Sequence, residues 1–594
     1  MVSKRVSDLQ NLLKDKNISA LIIPTDDFHM SEYVGEYFKA RKYFSGFTGS
    51  AGVMVVTQDE ANLWTDGRYF IQAERELEGT GVILRKMGEP GVPTVKEYVV
   101  ENVKEGGVLA FDGRVVSYAD GEYYATALAE KNATLHVNED LAGQCWPDRP
   151  ALSEEKAFVL DVKYAGKTVE EKLCDVRKVM AEKGADVHVV TALDEIAWLY
   201  NIRGGDVSRT PVVLSYAVVT MDKAYIFANP SVLEGEVAQH LVAAGVEIRP
   251  YDDVYEFVKT FSESSTVLIN TGRANYAMVN NIKAKIVSGM TPEMKMKAVK
   301  NPVELENERI SHIKDCVAVT KFMYWLKKNA GKIPMTEFTA QNYLSQLRAE
   351  QPGFVDLSFD PISGYKENAA MMHYSAKEET AAAITNEGML LVDSGGHYME
   401  GSTDITRTFV LGPVSDEIKE HFTAVVRGVI DMSRAKFLYG CIGRNLDILS
   451  RGPIWDIDLD YKCGSGHGIG YLLNVHEGPQ GFRWKVRPDL NEEAVFEEGM
   501  ITTIEPGIYI EGSHGIRIEN ELICQKGVEN EYGQFMHFET ITFAPIDLDG
   551  IDPKYMTWYE REWLNNYHAE VYAKISPYLT AEEAHWLKEY TRAI

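Results

Sequence analysis

The segment LLVDSGGHYMEGSTDITRTF, residues 390–409, sets Asp393 and Asp404 on either side of a glycine-rich turn between two β-prone runs. A hairpin there brings both carboxylates toward one point. Alone, such a stretch reads as a solvated acidic loop. Three further segments change that reading: GSGHGIG (464–470) supplies His467, TTIEPGIY (502–509) supplies Glu505 and GIRIEN (515–520) supplies Glu519. Each is an isolated polar side chain in apolar or glycine-rich surroundings, where a buried carboxylate needs a cation or strong hydrogen bonds.

Together the five residues offer four carboxylates and one imidazole. Four negative charges balance two divalent cations, which bridging carboxylates hold about 3.5–4 Å apart. An oxygen-dominated set with one histidine favours a hard ion such as manganese, with zinc, cobalt and iron as alternatives. Two such ions acidify a shared water, which is hydrolytic chemistry. His373 in ENAAMMHYS and His476 in LLNVHEGP lie near these segments but outside the set. Read from the residues alone they are structural histidines; the functional alternative is hydrogen-bond donation to a carbonyl or oxyanion. GFTGSAG (46–52) lacks the Gly-Lys-Ser/Thr ending of a phosphate loop and reads as a tight turn.

The rest of the chain sets the context. It has 594 residues, 45% hydrophobic and 25% charged, with 88 acidic against 61 basic side chains and a net charge of −27. That composition supports several packed cores, and the charge repels nucleic acid and anionic membranes, so neither is an expected partner. The amino-terminal MVSKRVSDLQNLLKDKN lacks a secretory core, no run of about 18 apolar residues occurs, and the six cysteines form no CxxC pair. A cytoplasmic protein without disulfides is expected.

Two early passages share the order helix, strand, acidic pair, aromatic segment, glycine turn and strand. The first runs through ALIIPT, VMVVT and NLWTDGRYF; the second through VHVVT, DEIAWLYNIRGGD, VVLSYAVVT and KAYIFAN. They read as duplicated α/β domains joined by CWPDRPALSEEKAFVLD (145–161), with a long amphipathic helix starting near Asn301-Pro302. The aromatic tail after residue 550 reads as core-packing helices, with a subunit contact as the alternative.

The ordered set in DSGGHYMEGSTD, GSGHG, IEPG and RIEN resembles the pita-bread metallopeptidases, which include methionine aminopeptidase, prolidase, aminopeptidase P and the non-metal creatinase. SEYVGEYFKARKYFSGFTGSAG, LWTDGRYFIQA and VVTALDEIAWLYNIRGGDV resemble the first two domains of its long, cytosolic-type aminopeptidase P branch. The resemblance covers essentially the whole chain. It implies an α/β (α+β) fold: two creatinase-N-terminal-like domains (1–155 and 156–301) followed by a pita-bread catalytic domain (302–594).

The same resemblance implies two divalent ions, usually manganese, and release of an N-terminal residue that precedes proline in an oligopeptide. It makes Asp393, Asp404, His467, Glu505 and Glu519 the ligands, with Asp404 and Glu519 bridging and Glu505 also the general base. It makes His373 and His476 substrate-orienting and oxyanion-stabilising residues, places Tyr509 and Arg517 on the proline side of the cleft, and implies a homodimer. One position departs: Cys463 in YKCGSGHG stands where long members of the family carry a histidine, and a thiol is the poorer donor. A redox-sensitive point and an inert buried thiol are the two readings of Cys463, the second favoured. Competing assignments are a prolidase, argued against by the duplicated first domains, and a non-catalytic protein-binding module, argued against by the complete ligand set.

Overall fold

The structure is a computed structural model that describes residues 2–486 and 492–594. The chain divides into two compact units, Met1–Val162 with Lys167–Glu293, and Lys163–Gly166 with Met294–Ile594.

The first unit holds two six-stranded sheets of the same topology. Strands Ala20–Pro24, Val53–Thr57, Ala61–Thr65, Ile83–Lys86, Val108–Ala110 and Thr134–His136 lie in the spatial order fourth, third, second, first, fifth, sixth. Strands Val187–Val190, Ser215–Thr220, Ala224–Ala228, Val246–Arg249, Thr266–Ile269 and Lys285–Ser288 repeat that order. In each sheet the first strand runs antiparallel to the second and parallel to the fifth. The duplication legible in the sequence is thus a duplication of topology. Central strands such as ALIIP and VHVV are buried along their whole length, which explains why they read as continuous apolar runs rather than alternating ones.

Helices cover the sheets where their patterns predict. Val2–Asp15 buries Val6, Leu9 and Leu13, whereas Leu12 is half-buried at the edge of that face. Val169–Glu182 opens on a capping box, with Thr168 accepting from the Glu171 amide and Glu171 reciprocating. The GFTGSAG segment is a packed turn: Arg41 donates to the Phe47 carbonyl at 2.7 Å, and the Phe47 ring is fully buried.

The long helix of the second unit, Pro302–Asn329, is capped by Asn301 and started by Pro302 at its first position, where a missing N–H costs nothing. Two sheets carry the site. A three-stranded antiparallel sheet sets Met389–Ser394 between Ile362–Tyr365 and Ile405–Val410. A six-stranded sheet runs Lys436–Leu438, Gly533–Thr540, Asn520–Asn530, Ile501–Ile504, Gly466–Gly468, Glu477–Phe482. The aromatic tail forms helices Trp558–Ile575 and Ala581–Tyr590, and Leu564, Tyr567, Val571, Ile575 and Leu587 join the core of this unit. The core reading of the tail holds.

Candidate active site

The hairpin read from residues 390–409 is present. Asp393 pairs across the sheet with Thr406, and Asp404 lies just before the returning strand. A shorter ladder, Tyr398 opposite Gly401 and His397 opposite Ser402, closes the tip. Between the two ladders the backbone comes very close: a Cβ on Gly395 would stand 1.8 Å from the Thr403 carbonyl oxygen. Only glycine allows that approach, which keeps the two aspartates at one end of the hairpin.

The other three residues arrive from the six-stranded sheet. His467 sits on Gly466–Gly468, where a Cβ on Gly466 would meet the Thr503 carbonyl at 2.0 Å. Glu505 follows Ile501–Ile504, and its amide donates to the Ser465 carbonyl at 2.8 Å, fixing it beside His467. Glu519 is tied to the hairpin instead. Its amide donates to the Thr406 carbonyl at 3.1 Å, and the Thr406 hydroxyl donates to its Oε2 at 2.8 Å.

These elements bring Asp404, His467 and Glu519 together, each offering a ligand atom within 4.8 Å of the others. His467 Nε2 stands 3.4 Å from Asp404 Oδ2 and 3.4 Å from Glu505 Oε1. His467 Nδ1 lies 2.9 Å from the Gly468 carbonyl and donates to it, which turns Nε2 toward the carboxylates. Burial, then repulsion from Asp393 and Glu505, pushes the Asp404 carboxyl well above the ordinary range. Burial, then repulsion from Asp404, Glu505 and Asp393, does the same to Glu519.

The donor set fits divalent cations. Asp393 Oδ1 and Glu519 Oε1 are buried without a hydrogen-bond partner, and buried carboxylate oxygens are costly to leave so. Four clustered carboxylates and one imidazole suit two divalent ions.

The outer residues group around Arg517, which is buried on the hairpin Gly507–Ile510 with His514–Arg517. Its Nη2 donates to Asp393 Oδ2 at 2.6 Å and to the Met372 carbonyl at 3.3 Å, and its Nη1 to the Tyr509 hydroxyl at 2.6 Å. The Met372 contact ties the half-buried His373 segment to the site. Burial disfavours the guanidinium charge, but Asp393 and Glu505, with the hydrogen bond to Tyr509, outweigh it and hold the group charged. The same burial pushes the Tyr509 hydroxyl up and keeps it neutral. His476 meets the His467 ring edge-on, with centroids 4.3 Å apart.

Cys463 lies within the field of Glu505 and Arg517, and burial, with Glu505 adding, pushes its thiol up to about 11. A thiol kept protonated is a weak nucleophile, which favours the inert reading over the redox one. All six cysteines are free.

Several supporting residues escape a sequence reading. Glu521 Oε1 accepts from the Asp404 amide at 2.8 Å, and Glu521 Oε2 stands 3.0 Å from His312 Nε2 on the long helix. Asp315 takes hydrogen bonds from Arg348, Tyr398 and Thr403 beneath the hairpin tip. Nothing in the linear pattern distinguishes these side chains from ordinary helix-surface and strand residues.

This hairpin-centred arrangement of four carboxylates and an imidazole suits a metal-dependent hydrolase, and comparison with known proteins gives the class as a metallopeptidase. The profile of Metallopeptidase family M24 matches residues 306–526, and that of the C-terminal region of peptidase_M24 matches 534–594. Profiles of the Creatinase/Prolidase N-terminal domain match residues 5–140 and 148–304. Aminopeptidase P2 of Arabidopsis thaliana is 36% identical over 100% of this chain and 89% of its own length. Xaa-Pro aminopeptidase 1 of Dictyostelium discoideum is 36% identical over 100% of this chain and 97% of its own length. The crystal structure of an X-prolyl aminopeptidase from Caenorhabditis elegans, described as a cytosolic enzyme with a di-nuclear active site, superposes with a TM-score of 0.95. It is 32% identical, and each chain is covered completely. The chain belongs to metallopeptidase family M24 and, within it, to the long Xaa-Pro aminopeptidases.

Proposed function

We propose that this enzyme removes the N-terminal residue from oligopeptides whose second residue is proline, with two divalent cations, manganese foremost, at the centre described above. The observation that carries the reading is the convergence of Asp404, His467 and Glu519 within 4.8 Å, beside Asp393 and Glu505. Asp393, Asp404, His467, Glu505 and Glu519 would hold the cations. When bound, the cations supply an acidified water and a Lewis acid for the scissile carbonyl.

The chain's own groups do the rest. Glu505 is half-buried, and its Oε1 lies 3.4 Å from the Thr503 hydroxyl, so a carboxylate oxygen remains open to receive the proton of the attacking water. His373 and His476 orient the peptide and donate to the oxygen that gains negative charge in the transition state. Tyr509 and Arg517 line the proline side, and the hydrogen bonds from Arg517 to Asp393, Tyr509 and the Met372 carbonyl give it a structural share as well. Cys463 contributes no charge there.

Product masses from a panel of Xaa-Pro, Xaa-Pro-Xaa and Xaa-Ala-Xaa peptides test this. The expected result is release of the free first residue from Xaa-Pro-Xaa, lost on chelation and regained with manganese. Strong preference for the dipeptide would reassign the enzyme as a prolidase, and protein that binds no metal and cleaves nothing would favour a binding role. Cytoplasmic residence is supported by the cytosolic relative. A homodimer is supported by apolar surface on the catalytic unit, where exposed Trp455 and Trp484 meet at 5.7 Å; sedimentation checks it.

A further inference from the structure

The stretch from Met294 to Asn301, at the start of the main run of the second unit, carries two lysines that are almost completely buried. Side chains of Lys297 and Lys300 are 3% and 0% exposed, and both reach the same carboxylate, Glu477, itself 1% exposed. Lys297 Nζ lies 2.8 Å from Glu477 Oε2; Lys300 Nζ donates to Glu477 Oε1 and, at 2.5 Å, to the Ile469 carbonyl. Burying ammonium groups is expensive, and the interaction survives only with close pairing and further hydrogen bonds. Surface lysines would give solubility at no such cost.

What the lysines touch gives the arrangement a use. Glu477 follows His476 in the chain and stands opposite Gly468, the neighbour of His467, in the antiparallel ladder. The Ile469 carbonyl lies at the other end of the same turn. The two ammonium groups therefore pin both ends of the loop that joins His467 to His476. That stretch is itself anchored to the residues just before the strand Ile501–Ile504 that leads to Glu505: Val299 bridges Met500, and the Lys300 amide donates to the Gly499 carbonyl at 3.1 Å.

We propose that Lys297 and Lys300, acting through Glu477, are positioning residues for His476, setting its height above the His467 strand. Neither lysine touches the reacting atoms. The inference rests on His476 donating to the transition state, as read above. Loosening the loop moves that donor, and displacement of about 1 Å costs up to about 100-fold in rate.

A double-mutant cycle in the full-length, metal-loaded enzyme tests this. Lys300→Met keeps most of the stem and removes the charge. It should lower kcat on a Xaa-Pro-Xaa peptide by about 10- to 100-fold, with KM moved by less than about threefold. In a His476→Gln background the same substitution should cost less than about threefold, because the donor it positions is gone. An equal loss in both backgrounds, or no loss in the first, overturns the proposal. Should Lys300→Met fail to fold, Lys297→Met leaves one lysine paired with Glu477 and is carried through the same cycle, with a smaller loss that again vanishes beside His476→Gln. A His476→Gln enzyme as fast as the parent overturns the role of His476 and the clamp with it. A slow one in which Lys300→Met still costs its full factor overturns the clamp alone.

Discussion

Arg517 holds Asp393 through a 2.6 Å hydrogen bond from Nη2 to Oδ2, at the inner end of the hairpin that also presents Asp404. One oxygen of Asp393 is thereby neutralised by the protein, and the other, Oδ1, is left without a partner. The guanidinium sets which oxygen faces the cluster.

Replacing Arg517 with lysine tests that geometry. An ammonium cannot reach Asp393, Tyr509 and the Met372 carbonyl together, as the planar fork does. The variant should lose about 3 kcal/mol of stability in urea unfolding of the metal-free chain, the scale for breaking a buried ion pair. It should also bind metal more weakly, by about 10- to 100-fold in titration calorimetry.

Asp404→Asn removes one of the carboxylates crowded at the site. Metal content, read by elemental analysis, should fall below two ions per chain, and kcat/KM should drop by at least about 100-fold. The metal-free variant should melt above the metal-free parent, since burial and repulsion already hold Asp404 in an unfavourable state without cations. An active double variant Asp404→Ala, Glu519→Ala would overturn the metal assignment itself.

Glu308 supplies a pH dependence. Burial, with repulsion from Glu521, raises its carboxyl to about 8. A carboxyl whose folded value lies above its unfolded one, about 4.3, binds its proton more tightly when folded. Its contribution to stability is full below the unfolded value and is lost as pH rises through about 8. The difference in unfolding free energy between parent and Glu308→Gln should therefore slope between pH 5 and 8 against the parent. Parallel curves would contradict the raised value.

Cys463 should resist alkylation. With its thiol pushed up to about 11, the thiolate fraction at pH 7.5 is only about 3 in 10,000. Iodoacetamide labelling mapped by mass should mark the exposed Cys174 well before Cys463. Rapid labelling of Cys463 would revive the redox reading.

The five candidate ligands were legible because each stands alone in a glycine-rich or apolar run, where an unpaired charge has no structural excuse. The duplicated domains were legible because buried central strands leave long apolar runs, and the helix at Pro302 because Asn301-Pro302 is a local cap. Roles for His373 and His476 were not separable from structural ones on the residues alone. The structure places both beside the candidate site, where Arg517 donates to the Met372 carbonyl and the His476 ring meets His467.

The sequence by itself determined which residue types were available for chemistry and the local elements that carry them, since capping, periodicity and glycine placement act over a few residues. The tertiary structure decided which of them meet. Thr406 binding Glu519, Glu521 binding the Asp404 amide, and Lys297 and Lys300 converging on Glu477 join residues more than 100 positions apart. Such pairings follow from sheet register and from the need to satisfy buried charge, and no stretch of chain encodes them locally.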